Sequence, residues 1–334
     1  MVLAMQGFWG GLAKPFFIQA PMEDVTDAAF RRLIVRFGRP DVMFSEFTSA
    51  DGLVLAPAKG QEALRAKLMF APEERPIVAQ LFSAIPERME KAAAIVADLG
   101  FDGIDINMGC PDRAVEKSGC GADLIKHPDL AKELIRAAKR GASCGCASLT
   151  CTTGKCLPVS VKTRMGYNTD EMDTWLPALL EEGIANLTIH LRTRKEMSLV
   201  PAHWDAIARA VEIRNRVSPE TLITGNGDAT DLDDARKKAK ESGCDGVMLG
   251  RAIYGNPWLY AKRESPPTPQ ERIAALIEHI KLFDELLGEV SNFTTMKKHF
   301  KAYISGWDHA KELRVKLMET KNSTEVLAIL QDTV

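Results

Sequence analysis

The sequence predicts an α/β fold, a (β/α)8 (TIM) barrel followed by a small C-terminal helical bundle, on three observations. Eight strand-like runs alternate with helix-like segments over the first ~250 residues. The Gly-x-Gly-x-x-Gly fingerprint of a doubly wound sheet is absent after the first run, where Ala20-Pro21-Met22 stands instead. Polar side chains also recur at the C-terminal end of run after run, which is the rim where such barrels keep their chemistry.

The runs fall at 16–20, 42–47, 76–82, 103–107, 158–163, 186–190, 221–225 and 245–249. Helices are predicted between them at 27–37, 59–68, 86–99, 128–140, 171–182, 204–216 and 232–242. Pro86, Pro128 and Thr230-Asp231 are helix-start signals, and Gly100, Gly183 and Gly243 follow helices as left-handed C-terminal caps. The stretch Gly103 to Pro111 (GIDINMGCP) holds the fourth run, whose apolar residues are broken by the charge of Asp105, and then passes into a Gly-Cys-Pro turn. It reads as a central parallel strand that delivers Asn107 and Cys110 to its C-terminal end. A cysteine there is either a packed structural thiol or a reactive one, and the rest of the rim must decide.

Composition narrows the class without naming it. The 334 residues hold 43 basic and 45 acidic side chains, a net charge of −2, and 46% are hydrophobic, as in an ordinary soluble protein. That balance neither announces nor excludes a nucleic-acid partner, because a local basic face outweighs the total. No apolar run reaches the length of a membrane span, and residues 1–12 lack a signal-peptide pattern. A cytoplasmic, monomeric protein with mostly reduced cysteines is therefore expected.

The rim residues define a chemistry together that none defines alone. Run two ends in Ser45-Glu46, and run three carries Gln80. Run four ends in Asn107 and Cys110, run five in Lys162 and Arg164, and run six in His190 and Arg192. Runs seven and eight end in Asn226-Gly227-Asp228 and Gly250-Arg251, the pair of loops that usually binds phosphate in this architecture. A phosphate there, with Lys162 and Gln80 deeper in the barrel, suits a phosphorylated planar cofactor. Lys162 could stabilise negative charge on a reduced flavin, and Gln80 could meet the ring's polar edge. Flavin mononucleotide (FMN) fits better than pyridoxal phosphate, for which no partner to the ring nitrogen is evident.

Several stretches, taken in order, resemble one family. APMEDVTD (20–27), QLF (80–82), NMGCP (107–111), VKTRMG (161–166), HLRTR (190–194), GNGD (225–228) and GRA (250–252) are similar to the motifs of the tRNA-dihydrouridine synthases over about residues 16–258. The resemblance implies a two-stage reaction. NADPH reduces bound FMN, and the flavin passes hydride to C6 of a uracil in tRNA while Cys110 protonates C5. Carried over by position, Pro21, Met22, Gln80, Lys162, His190, Asn226, Gly227, Asp228, Gly250 and Arg251 would line FMN. Asn107 would hold the uracil edge, and Arg164 and Arg192 would face the substrate nucleotide and its backbone. A thiol near pKa ~8.5 suits the acid role because it stays protonated at neutral pH yet can protonate an enolate. The uridine would have to leave its stack to reach the ring.

Two features depart from the family pattern. Cys120 stands in a Gly-rich loop where small residues are usual, and residues 143–156 form a loop carrying Cys144, Cys146, Cys151 and Cys156. The spacing of those four thiols is not the paired Cys-x2-Cys of a zinc knuckle, and no metal is predicted.

The domains are expected at 1–260 (catalytic) and 261–334 (helical, facing tRNA). Thr268, Pro269 and Glu271 form a helix start, and Ile273, Leu276, Ile277, Ile280, Phe283, Leu286 and Leu287 continue at helical spacing. From Glu289 to Lys321 there are seven basic residues, Lys297, Lys298 and Lys301 among them, against four acidic ones. Such an imbalance is usually a solvated face, but beside a uridine-reducing barrel it reads as the phosphate-contacting surface. Phe300 is expected to pack internally. The rival functions are a flavin barrel acting on a free small molecule and a non-catalytic tRNA-binding protein of the same fold.

Overall fold

The structure is a computed structural model and describes residues 6–143, 156–261, 263 and 265–333. Nine parallel strands form the sheet: β1 (Phe16–Gln19), β2 (Met43–Phe44), β3 (Thr48–Ser49), β4 (Ile77–Phe82), β5 (Gly103–Met108), β6 (Val159–Arg164), β7 (Asn186–His190), β8 (Leu222–Asn226) and β9 (Gly246–Leu249). Their order is β1-β9-β8-β7-β6-β5-β4-β2, and a parallel bridge between Ile18 and Val42 returns β2 to β1, so the sheet closes. The expected barrel is present, with every strand pointing the same way.

The second run differs from expectation. It splits into β2 and β3, both paired with β4, with Phe44 opposite Val78 but Thr48 opposite Leu81. One residue more lies on the 44–48 side than on its partner, so the ladder breaks at a bulge. Ser45 bridges the break, its Oγ accepting the Gln80 N–H at 3.2 Å.

Helices α1 (Ala28–Phe37), α2 (Ala50–Leu55), α3 (Ala58–Lys67), α4 (Pro86–Asp98), α5 (Arg113–Lys117), α6 (Pro128–Ala142), α7 (Met172–Leu180), α8 (Ile207–Val217) and α9 (Leu232–Ser242) surround the strands. Asp27 caps α1 by accepting the Phe30 N–H at 2.8 Å. Gly100, Gly183 and Gly243 take positive φ after their helices, as their positions in the sequence predict. The strands' outward residues, such as Ile104, Ile106 and Met108, pack against these helices. A second cluster fills the barrel's N-terminal end around Trp9, Phe16, Ile18, Phe44 and Met248. Trp9 belongs to a 3-10 turn, Gly7–Gly11, that no sequence signal announced. It plugs the barrel from below.

After β9 come α10 (Pro269–Leu287), α11 (Lys297–Tyr303), α12 (Ala310–Glu319) and α13 (Ser323–Gln331). The start of α10 is the expected capping box of Thr268 and Glu271. Helix α10 lies on α1, with Phe30 stacked at 5.0 Å on His279 and also 5.0 Å from His299. Phe300 and Tyr303 are both fully buried, which makes Tyr303 a packing residue too. No described helix is long and apolar enough to cross a membrane.

Candidate active site

Alternation along the strands sends one set of side chains into the barrel. On β5 these are Asp105 and Asn107; on β6 Ser160, Lys162 and Arg164; on β7 Thr188 and His190; on β8 Thr224 and Asn226. The inward set is polar toward the C-terminal rim, whereas the base is apolar.

The turn after β5 is built on that strand's own last inward side chain. Asn107 Oδ1 accepts the N–H groups of Gly109 at 3.1 Å and Cys110 at 3.0 Å, and its Nδ2 donates to Gln80 Oε1 at 3.2 Å. Gly109 runs so close to β6 that a Cβ would meet the Thr163 backbone at 3.1 Å. Cys110 is half-buried. Burial and the Asp112 charge push its thiol up despite the opposing charges of Lys162 and Arg164, so it is held in its protonated form. Cys120 is buried elsewhere, its Sγ 3.6 Å from Ser118 O and its charged neighbours Asp51 and Asp123. It does not share the cationic surroundings of Cys110. Cys156 is exposed, while Cys144, Cys146 and Cys151 lie outside the described residues.

Lys162 is lowered to about 8, first by burial and then by Arg164, with Asp105 opposing. Among the described residues its Nζ has no hydrogen-bond acceptor, so the cation is available to a ligand. His190 is held well below its ordinary value by burial and by the cations Lys162, Arg164, Arg192 and Arg251. Its Nε2 lies 3.0 Å from Arg192 Nη1, and an arginine only donates, so the neutral imidazole carries its proton on Nδ1.

The loops after β8 and β9 make the anion end. Gly227 has φ +128°, and a Cβ there would come 2.8 Å from Ala202 Cβ; Asp228 follows at φ +52°. Among the described residues neither the Asp228 nor the Ala229 N–H has an intramolecular acceptor. Successive free N–H groups at such a turn form a concave anion site. The Asp228 carboxylate pairs with both Arg192 and Arg251 and accepts the Ala202 N–H at 2.9 Å. Burial works to raise it, but these partners outweigh burial and hold it below the usual carboxylate range.

A cavity of about 270 Å³ joins Lys162 and His190 to the anion end, and Pro21, Met22, Lys162, His190, Asn226, Gly227, Asp228, Gly250 and Arg251 line it, whereas Cys110 and Asn107 stand outside its lining. Of the residues expected around a cofactor only Gln80 is missing from that lining; it sits behind, bonded to Asn107 and Asp105. Ser198 and Met248 line the cavity without having been predicted, and neither residue type carries a signal that would have singled it out.

Two residues expected to face the substrate have partners within the chain. Arg192 is a buried wall of this cavity, tied to Asp228 and to Val200 O at 2.6 Å. Arg164 is also buried, and it gives its Nε and Nη1 hydrogens to the backbone carbonyls of Gly109 (2.8 Å), Thr193 (3.1 Å) and Met197 (2.9 Å). It braces the Cys110 turn against the loop after β7.

Lys297, Lys298 and Lys301 line a separate groove of about 620 Å³ with Lys311, Arg314 and the exposed Val315 and Met318. Lys298 pairs with Asp24 at 2.5 Å and Lys297 donates to Met318 O at 2.7 Å, so the first two lysines already have partners within the chain.

A closed parallel barrel whose C-terminal mouth gathers a thiol, a lysine and an anion cradle is the architecture of a barrel enzyme. The dihydrouridine synthase family model matches residues 18–334. A probable tRNA-dihydrouridine synthase 2 of Bacillus subtilis (strain 168) is 43% identical over 98% of this chain and 96% of its own. A probable tRNA-dihydrouridine synthase of Staphylococcus aureus (strain COL) is 42% identical over 98% of this chain and 95% of its own. Among solved structures, morphinone reductase in complex with tetrahydroNAD is 13% identical, with a TM-score of 0.49 over 79% of this chain and 92% of that one. The chain belongs to the dihydrouridine synthase family.

Proposed function

We propose that this chain reduces specific uridines of tRNA to 5,6-dihydrouridine with FMN as cofactor and NADPH as the source of electrons. Residues 1–260 carry the reaction, and residues 261–334 help hold the tRNA. The observation that supports this most is Lys162, which has no acceptor among the described residues, shares a cavity with the anion cradle and acts by its charge on the half-buried Cys110 thiol.

The residues present fit a phosphorylated flavin. The N–H groups of Asp228 and Ala229 suit its phosphate, Pro21 and Met22 offer an apolar wall to its ring, and Lys162 offers a cation. FMN, when bound, supplies the two-electron transfer between nicotinamide and uracil. Cys110 supplies the proton: its S–H bond breaks as the C5–H bond of the uracil forms, and the thiolate left behind is stabilised by Lys162 and Arg164. Asn107 keeps the Cys110 backbone in place with its Oδ1 and has one Nδ2 hydrogen left for the base. Neutral His190 and the Arg192–Asp228 pair close the cofactor side. The basic groove at α11 and α12 supports a polyanionic substrate over a free nucleoside.

Mass spectrometry of nucleosides from unmodified tRNA, after incubation with the protein, FMN and NADPH, tests this. A gain of two hydrogens on uridine is expected. NADPH oxidation without that gain would transfer the site to a small-molecule substrate.

A further inference from the structure

Asp105 is a charged group that the proposed reaction does not use. It lies fully buried in the barrel interior, one layer below Lys162, and both its oxygens are taken. Oδ2 accepts from Gln80 Nε2 at 2.7 Å and Oδ1 from Ser160 Oγ at 2.7 Å. A carboxylate only accepts, so the Gln80 amide must turn its NH2 toward Asp105 and its oxygen the other way. There Oε1 accepts Asn107 Nδ2 at 3.2 Å, which in turn points Asn107 Oδ1 at the backbone N–H of Cys110. The bonds run in one direction, from the Cys110 N–H through Asn107 and Gln80 to Asp105. Of these side chains only the carboxylate cannot be reversed, because an amide can flip.

We propose that Asp105 is a positioning residue: it sets the polarity of the Gln80–Asn107 chain and thereby holds the turn that carries Cys110. Burial of a carboxylate is costly, and Asp105 is raised to about 6, chiefly by desolvation that Ser160 and Gln80 partly offset. The backbone N–H groups of Gly109 and Cys110 fix the Asn107 end of this chain and the carboxylate fixes the Gln80 end, so both amides are held in one orientation. On the flavin reading, the same chain leaves Gln80 one amide hydrogen and one carbonyl lone pair in fixed places behind the wall of the cofactor cavity. That consequence rests on the function proposed above; the hold on the Cys110 turn does not.

The test breaks and then reverses the link between positions 80 and 105 in the apoprotein. Gln80→Glu sets a carboxylate against Asp105, and Asp105→Asn added to it gives an amide that can donate to Glu at position 80, which still accepts from Asn107. Cys110 alkylation by iodoacetamide, read on its own peptide by mass spectrometry, reports the turn without any cofactor. The single variant Gln80→Glu is expected to speed alkylation on the order of tenfold and to lower the urea midpoint. The double variant is expected to return both to within about threefold of the parent and near its midpoint. Unchanged alkylation in the single variant, or no recovery in the double, would overturn the proposal. If the single variant fails to fold, a folded double supports the inference and an unfolded double refutes it. An FMN titration of the parent protein is judged separately: failure to bind would fault the flavin reading and leave the alkylation result standing.

Discussion

The proton donor is the point at which the proposed chemistry is most exposed to test. Cys110→Ala removes the thiol but none of the bonds that shape its turn, because those run from backbone N–H groups to Asn107 Oδ1 and from Ala122 N to Cys110 O at 2.9 Å. Losing one small half-buried group should cost roughly 1 kcal/mol of stability or less. FMN binding and NADPH oxidation should stay within about twofold, since Lys162 and the anion cradle are untouched. Dihydrouridine formation should fall by about 10²–10⁴, the range that general acid catalysis contributes. The pH profile sharpens the case. Burial pushes the Cys110 thiol above the ordinary thiol range, so the thiol is the dominant form at neutral pH. Parent activity should therefore be flat in this group from pH 7 to about 8 and fall only as the thiolate forms above that. Single-turnover mass spectrometry of tRNA, with NADPH oxidation followed in parallel, reads both half-reactions. Retention of more than about a tenth of the parent rate by Cys110→Ala, or activity rising with pH between 7 and 9, would refute the assignment.

Further outcomes follow from the same geometry. Because burial and Arg164 lower Lys162 to about 8, its cation is lost above that pH, and FMN affinity of the apoprotein should decline as pH rises through 8, measured by fluorescence titration. The depressed value also means that the unfolded chain holds this proton more tightly, so the cost to the apoprotein is full below about 8 and relieved toward ~10.4. Lys162→Met should raise the urea midpoint of the apoprotein at pH 7 while weakening FMN binding by about tenfold or more. Charge reversal at Lys297, Lys298 and Lys301 should weaken tRNA binding and flatten its salt dependence in filter-binding assays; an unchanged salt slope would remove this groove from the tRNA surface. Fully buried Arg31 pairs with fully buried Glu74 at 2.7 Å, so Glu74→Ala should destabilise the fold by roughly 3–5 kcal/mol in urea denaturation.

What the sequence made legible follows from periodicity and its limits. Seven of the eight strand runs and the glycine caps were readable because each is a local pattern, set by residues within a few positions of one another. The bulge at Ser45 was not, since it depends on how the 44–48 segment registers against β4, and register is a relation between strands. The same distinction divides the site. The rim positions of Lys162 and the 225–228 loop were legible because strand ends and glycine turns are local. Arg192 was read as a rim residue, but its pairing with Asp228 was not legible, because that carboxylate comes 36 positions later. Lys298 finds Asp24 across 274 positions, which no reading of a basic stretch could anticipate. A charged residue in a chain announces that its charge must be met somewhere; only the fold says by what. Asp105 carried that announcement plainly, as the single charge in an apolar strand, and strand alternation points it inward beside Asn107. Its bonds to Gln80 and Ser160, from the strands on either side, give the charge its use: it fixes the direction of a hydrogen-bond chain whose other end holds the backbone of Cys110.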